Sequence, residues 1–265
     1  MVSLGIHSFL TIVYNFPMKG IFYGVSVGPG DPDFLTLRAL NIIEKTRILF
    51  APATKKSEDE ELVSQALNIV SQRISLEQKE LHLVQFPMGK DSSKNALVYE
   101  QIVQEISEIL NAGESVAFLC LGDVTIYATS FVVEEKLHKA GYKTEVIPGV
   151  SSFCAGAASL HIPVVMHNQA LTVIPGDAAF KDGSLPNLLD IPGTKVIMKS
   201  SKSLPKIMEE IKKHKHSYVS MAINVGMKNA DGTLSQRIIE NALECVEKEP
   251  ELMDGNKYFS IIYVG

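Results

Sequence analysis

The sequence predicts an α/β protein of two domains, a mostly parallel sheet in residues 18–164 and a mixed sheet in residues 165–265. Three observations carry this. Up to Leu160, short apolar runs alternate with amphipathic stretches of helical period, the pattern of strands joined by helical crossovers. Three of those runs break at a glycine and lead straight into a helix, at Gly28, Gly122 and Gly149. Beyond His161-Ile162-Pro163 the texture changes to strands separated by loops rich in Pro, Gly and Asn, which places the boundary between residues 161 and 168.

Taken in order, residues 21–27 read as a buried strand and 35–45 as a helix, with Asp31 and Asp33 ahead of its positive end. Residues 47–52 read as a second strand closed by Pro52. A charged connection over 55–61 leads to a helix at 60–71 and an alternating strand at 80–86 that includes His82. Residues 95–112 put Leu97, Val98, Ile102, Ile106, Ile109 and Leu110 at helical spacing, stopped by Gly113. A strand at 115–121, an amphipathic helix at 130–141, a strand at 143–147 and a small-residue helix at 151–160 complete the first domain. In the second, strands are expected at 170–174, 195–199, 217–224 and 258–264, with one helix at 204–213. Fewer helices per strand is what predicts the mixed sheet.

Bulk properties narrow the function. A net charge of −5 gives no basic surface for nucleic acid. Three widely spaced cysteines fit reduced thiols in a cytoplasmic protein, and Cys120 and Cys154, in apolar surroundings, read as packed side chains. Residues 1–17 are apolar but lack a basic start and are too short to span a bilayer; they read as an extension ahead of Met18-Lys19-Gly20. No longer apolar run occurs, so no membrane partner is expected. Nor is there a C-x-x-C or H-E-x-x-H spacing, so no protein-bound metal is expected.

The chemistry should sit at the three strand-end loops: Gly28-Pro29-Gly30-Asp31-Pro32, the run from Cys120 to Tyr127, and Ile147-Pro148-Gly149-Val150-Ser151-Ser152-Phe153. In a parallel sheet they converge on one edge, where ligands bind. They carry no dinucleotide or P-loop glycine spacing, and no G-x-S-x-G elbow supplies a nucleophile. Such a chain is equipped to hold reactants together, as a transferase working by proximity does. Asp123 reads either as a turn residue or as an acceptor for a ligand's ammonium or hydroxyl. Tyr127 offers a phenol and a stacking face. Ser151 reads as a helix cap, His161 and His167 as hinge or surface residues, His214-Lys215-His216 as a solvated helix end, and Met198 and Met221 as core.

In combination, Tyr23-Gly24-Val25-Ser26-Val27-Gly28-Pro29-Gly30-Asp31-Pro32, Leu121-Gly122-Asp123 with Ile126-Tyr127, and Pro148-Gly149-Val150-Ser151-Ser152-Phe153 resemble the tetrapyrrole methylases of cobalamin and sirohaem synthesis. The resemblance runs from about Met18 to the C-terminus. Within the family it is nearest to the members that methylate the C20 meso carbon of precorrin-2 or cobalt-factor II, through Val196-Ile197-Met198-Lys199 and Val225-Gly226-Met227 among other segments. It implies two α/β domains with the active-site cleft between them, a homodimer, and S-adenosylmethionine as methyl donor, leaving as S-adenosylhomocysteine. Carried over by position, Pro29, Leu121, Gly122, Asp123, Ile126, Tyr127, Ser151, Ser152, Met198, Ala222, Ile223, Asn224, Tyr258, Phe259 and Ser260 should line the donor site. Gly28, Gly30, Asp31, Arg38 and Lys199 should face the tetrapyrrole, whose carboxylates call for cations. The candidates for a catalytic group are Asp123 and Tyr127. One position departs from the family: Val124 stands where proline usually follows Gly-Asp, which adds an N–H and frees φ. Other corrin-ring or uroporphyrinogen III methylation, and a non-catalytic cofactor-binding role, stay open.

Overall fold

A computed structural model describes residues 19–55, 61–86, 92–229, 231–250 and 259–265. The expected extension at 1–17 lies outside them. The first sheet holds β1 (Phe22–Ser26), β2 (Ile48–Pro52), β3 (Glu80–Val84), β4 (Val116–Cys120) and β5 (Thr144–Ile147), all parallel in the order β3-β2-β4-β1-β5. Every strand therefore ends on the same edge, and β1 and β4, the carriers of two of the glycine loops, lie side by side there.

Alternation along the strands splits the core into two layers. On β4, Ala117 and Leu119 pack with Ala39 and Ile43 of α1 (Leu37–Lys45) and Leu67 and Val70 of α2 (Gln65–Val70). Val116 and Phe118 turn the other way, onto Ile102, Ile106 and Leu110 of α3 (Ser92–Asn111) and Val133 and Leu137 of α4 (Thr129–Lys139). Two helix starts fall later than expected. Pro32–Phe34 form a 3-10 turn first, and Thr36 caps α1 through Oγ1, which accepts the Ala39 N–H at 3.1 Å. Ser64 likewise caps α2. A side-chain cap, more than the apolar pattern, sets where each helix begins.

The second sheet runs β6 (Leu171–Pro175), β7 (Thr194–Met198), β10 (Ser260–Val264), β8 (Val219–Ile223) and β9 (Arg237–Ile239); only β6 and β7 pair in parallel, so it is mixed as expected. Its mixed pairing does not come with a shortage of helices. Besides α8 (Leu204–Ile211), this half contains α6 (Gly176–Asp182), α7 (Leu185–Leu189) and α9 (Ala242–Lys248), and it is not poor in helix. Gly176 and Pro186 fall in stretches expected as loop, yet Pro186 sits in the first turn of α7, where a missing N–H costs nothing; Pro205 does the same in α8, inside the helix expected at 204–213.

The helix α5 (Ser152–Ser159) follows β5 of the first sheet but packs on the second. Phe153, Ala155 and Ala157 bury against Val196, Ala222, Ile261 and Tyr263. The Tyr263 hydroxyl donates to the Phe153 carbonyl at 2.8 Å, and a side chain at Gly156 would overlap that hydroxyl. Burial pushes the Tyr263 phenol well above its ordinary pKa. The packed-thiol reading holds for Cys120, which is buried, and fails for Cys154, which is exposed on the outer side of α5. His214 is a further correction. It is mostly buried, with Nδ1 2.7 Å from Asp190 Oδ1 and Nε2 3.3 Å from Glu210 Oε1, a tied corner and not a solvated helix end.

Candidate functional site

The glycine loops meet as a backbone zipper. The Gly122 N–H donates to the Gly28 carbonyl at 2.8 Å and the Gly28 N–H to the Gly122 carbonyl at 3.2 Å, an isolated antiparallel bridge just past the ends of β1 and β4. Both glycines have φ of +75°, a conformation that disfavours side chains. Asp123 then ties in the third loop. Its Oδ1 accepts from the Thr125 N–H at 2.8 Å and from the Thr125 hydroxyl, and its Oδ2 accepts from the Gly149 N–H at 2.7 Å. The N–H that Val124 adds is used as well: it donates to the Oγ of fully buried Ser26 at 2.9 Å.

This braced edge is one wall of a cleft; the other is the second sheet. The first chamber, about 750 Å³ with its open mouth, is lined from the loops by Pro29, Leu121, Gly122, Ile126, Tyr127 and Ser152. From the second sheet come Met198, Lys199, Val225, Met227, Phe259, Ser260 and Ile261. A second chamber of about 770 Å³ lies over the ends of β2 and β4, between Pro52, Gln65, Ala66, Cys120 and Thr129. The two share Leu121, Ile126, Tyr127, Lys199 and Phe259 as their common wall.

At the partition, Tyr127 and Lys199 face one another from opposite sheets, and both are non-glycine residues in left-handed backbone, φ +53° and +52°. The Lys199 carbonyl accepts from the Asp177 N–H at 2.9 Å, which holds the turn after β7. Its ammonium donates to the Tyr127 carbonyl at 3.3 Å and lies 5.3 Å from the centre of the Tyr127 ring. Lys199 and Tyr127 both stay open to solvent, and their partial burial beside the cleft lowers the Lys199 pKa and raises that of Tyr127; burial pushes Cys120 up to about 11.

Residues 22–239 match the sequence profile of the tetrapyrrole (corrin/porphyrin) methylases. The chain belongs to this family. It is 35% identical over 157 residues to a cobalt-precorrin-2 C(20)-methyltransferase of Salmonella typhimurium, a match covering 59% of this chain and 64% of that one. It is 32% identical over 178 residues to a probable cobalt-precorrin-2 C(20)-methyltransferase of Methanocaldococcus jannaschii, covering 67% and 71%. Among solved structures, a cobalt precorrin-4 methyltransferase superposes with a TM-score of 0.69 at 18% identity, over 92% of this chain and 94% of that one. The uroporphyrin-III C-methyltransferase of Thermus thermophilus complexed with S-adenosylhomocysteine gives 0.63 at 18%, over 93% and 97%. These likenesses establish the two-sheet fold of a tetrapyrrole methylase for the chain.

Of the residues expected at a methylase donor site, Pro29, Leu121, Gly122, Ile126, Tyr127, Ser152, Met198, Phe259 and Ser260 line the first chamber. Asp123 lines neither chamber; its carboxylate accepts from Thr125 and Gly149 and so ties two of the loops together behind the wall. Ala222 and Ile223 are buried inside β8, facing α5 and the helix layer respectively. Asn224, also left-handed, donates its N–H to the Phe259 carbonyl. Ser151 stands at the start of α5 without a side-chain cap bond. Tyr258 lies outside the described residues. Val225, Met227 and Ile261 are lining residues that sequence reasoning missed; the period of two along β10 sets Ile261 apart from Ile262, and strand pattern alone gave no reason to choose between them.

On the substrate side, Lys199 lines both chambers and Gly30 lines an adjoining groove with Gln65, Asn68 and Gln72 of the α2 segment. Gly28 is consumed by the zipper, and Asp31 caps the 3-10 turn by accepting the Asp33 N–H. Arg38 pairs with Glu145 on an exposed face and lines neither chamber. Its charge is already matched there.

Proposed function

We propose that the chain transfers a methyl group from S-adenosylmethionine to the C20 meso carbon of precorrin-2 or cobalt-factor II, in corrin-ring synthesis. The observation that carries this reading is the pair of chambers sharing one wall. The relatives of 32–35% identity named for C20 methylation support the choice of ring position. The match with the Salmonella relative spans 64% of its length, so substrate and position are carried here as the proposal.

The first chamber fits the donor. A side chain built at Gly122 would meet only the Ser152 N–H, at 4.0 Å, so the loop leaves a space of side-chain size beside its backbone. Met198, Ile126, Val225 and Ile261 give an apolar surface for a thioether and an adenine, with Ser152 and Ser260 as hydroxyl partners. When bound, the donor supplies an electrophilic methyl on a sulfonium. The chain's own task is to hold the two reactants in line, exclude water and receive the proton that C20 gives up; alignment alone supplies much of such a rate. Gly122, Pro29 and Ser152 would fix the donor against the loops. Leu121, Ile126 and Phe259 would present a dry wall to the meso carbon. Any cobalt would arrive inside the substrate.

We also infer a homodimer working in the cytoplasm, with the division between domains at residues 161–168. Among the described residues no helix is long and apolar enough to cross a membrane. Sedimentation would show a mass of twice 29.0 kDa. The activity test is incubation with S-adenosylmethionine and, separately, precorrin-2, cobalt-factor II and uroporphyrinogen III. A gain of one methyl on either of the first two, placed at C20 by NMR, is the expected result; methylation of uroporphyrinogen III alone would redirect the reading to the earlier step. Binding of S-adenosylhomocysteine without turnover on any tetrapyrrole would mark a non-catalytic relative.

A further inference from the structure

Resting on that reading, we propose that the Lys199 amine is the base that takes the C20 proton during methyl transfer. The acceptor must reach a carbon held where the two chambers meet. Among the described residues lining either chamber, only Cys120, Tyr127 and Lys199 carry side chains that titrate as acids or bases. Asp123 lines neither chamber, its carboxylate turned to the loop donors Thr125 and Gly149. Cys120 lines only the second chamber. Tyr127 lies on the shared wall, but its hydroxyl is directed to the Val173 carbonyl at 3.4 Å. Lys199 is on that wall too, and no carboxylate of the described residues pairs with it.

The surroundings of the amine suit a group that must be neutral before the step and charged after it. Partial desolvation favours the neutral form, and Cys120 and Tyr127, the titratable groups beside it, are both held in their uncharged forms. The Tyr127 carbonyl and ring face then receive the ammonium once it forms. The left-handed turn at Lys199, braced by Asp177, is the strained backbone that places the side chain there. In the step, a π pair of the macrocycle forms the C20–CH3 bond as the S–CH3 bond breaks with its pair left on sulfur. The C20–H bond then breaks, its pair restores conjugation, and the proton ends on Lys199 Nζ. No oxidant or further reactant is needed.

Arginine keeps a positive charge but cannot release its proton, and so separates a base from an anchor for substrate carboxylates. Lys199→Arg and Lys199→Gln should each lower turnover by about 10²- to 10⁴-fold, the usual worth of a positioned base. S-adenosylhomocysteine and tetrapyrrole affinities by calorimetry should stay within a few-fold, and the rising limb of the pH–rate profile should disappear in both. Independently of activity, the pH dependence of Lys199 trinitrophenylation, followed by peptide mass spectrometry, should have its midpoint below the ordinary lysine value of about 10.4. Melting curves like the parent's would show that both variants fold; should either not fold, the trinitrophenylation midpoint of the parent decides. Parent-like turnover in Lys199→Arg, a midpoint at the ordinary value, or a loss confined to substrate affinity would overturn the assignment. If the parent itself methylates no tetrapyrrole, it is the functional reading that fails, and the midpoint still reports on Lys199.

Discussion

Single residues decide whether the loop behind the first chamber can exist. Val124 is the departure from the family's proline, and the cost of its extra N–H is met by a hydroxyl that the strand before it supplies. Ser26→Ala would leave that N–H buried without an acceptor, a loss of about 1–3 kcal/mol. Val124→Pro removes the donor instead, so the second change should cost markedly less in the Ser26→Ala background than in the parent. Urea melts of the four proteins measure this coupling, and strict additivity would show that the bond contributes nothing. That the loops formed a site was legible from their glycines and prolines, because backbone conformation is written in residue type. That Asp123 ties the second loop to the third was not legible. Which donors reach a carboxylate depends on Gly149, 26 residues away, and no spacing rule reports such a contact. The same limit hid the meeting of Tyr127 with Lys199, two positions whose left-handed backbone neither residue type announces.

At the level of elements, α5 belongs to one sheet by sequence and to the other by packing. Its run of small residues was readable as a helix, and the reason for the smallness becomes visible only with Tyr263 against it. Gly156→Ala drives a methyl into the Tyr263 hydroxyl and to 3.1 Å from the Ala222 Cβ, an overpacking of about 1–3 kcal/mol. Tyr263→Phe alone should cost about 0.5–1.5 kcal/mol through the lost bond to the Phe153 carbonyl. Together the two should be more stable than Gly156→Ala by itself, since the phenyl ring removes the atom in the way. Thermal melts giving the double variant the lowest midpoint of the set would place the strain elsewhere. The parallel strands of the first sheet were legible from continuous apolar runs in β2 and β4 and from alternation in β3. The short helices α6, α7 and α9 were not, since a helix of five to seven residues offers too little period to detect.

Across the whole molecule, the two sheets are held around the cleft by α5 and by the loops that close on the second sheet. One corner of the second lobe should give stability a pH dependence. The hydrogen bond to Asp190 raises the His214 pKa above its unfolded value, and Glu210 adds to it. The sign follows: this stabilisation is full below about pH 6.5 and fades as pH rises through the higher folded value. A His214→Gln variant should lose the decline between those limits in urea melts taken from pH 5.5 to 8. The lobes themselves meet backbone to backbone at the opening loop. A side chain at Gly30 would come to 2.6 Å from Gly226 C and Met227 N, and one at Gly226, where φ is +70°, to 2.6 Å from the Asp31 N–H. The loop that looked, as sequence, like a binding turn is thus also the seam between the sheets. Pro29, just before Gly30, and Met227, just after Gly226 in the facing turn, both line the first chamber. Gly30→Ala must therefore push apart two walls of that chamber while leaving each lobe's hydrophobic core intact. Calorimetry should show S-adenosylhomocysteine binding weakened at least about 10-fold, the effect of losing roughly 1.4 kcal/mol of contact. Gly183→Ala, at a positive φ of 78° with nothing within 4 Å of the added methyl, supplies the control for backbone strain remote from the seam. Binding lost equally in both variants would mean that general destabilisation, and not the seam, governs the chamber.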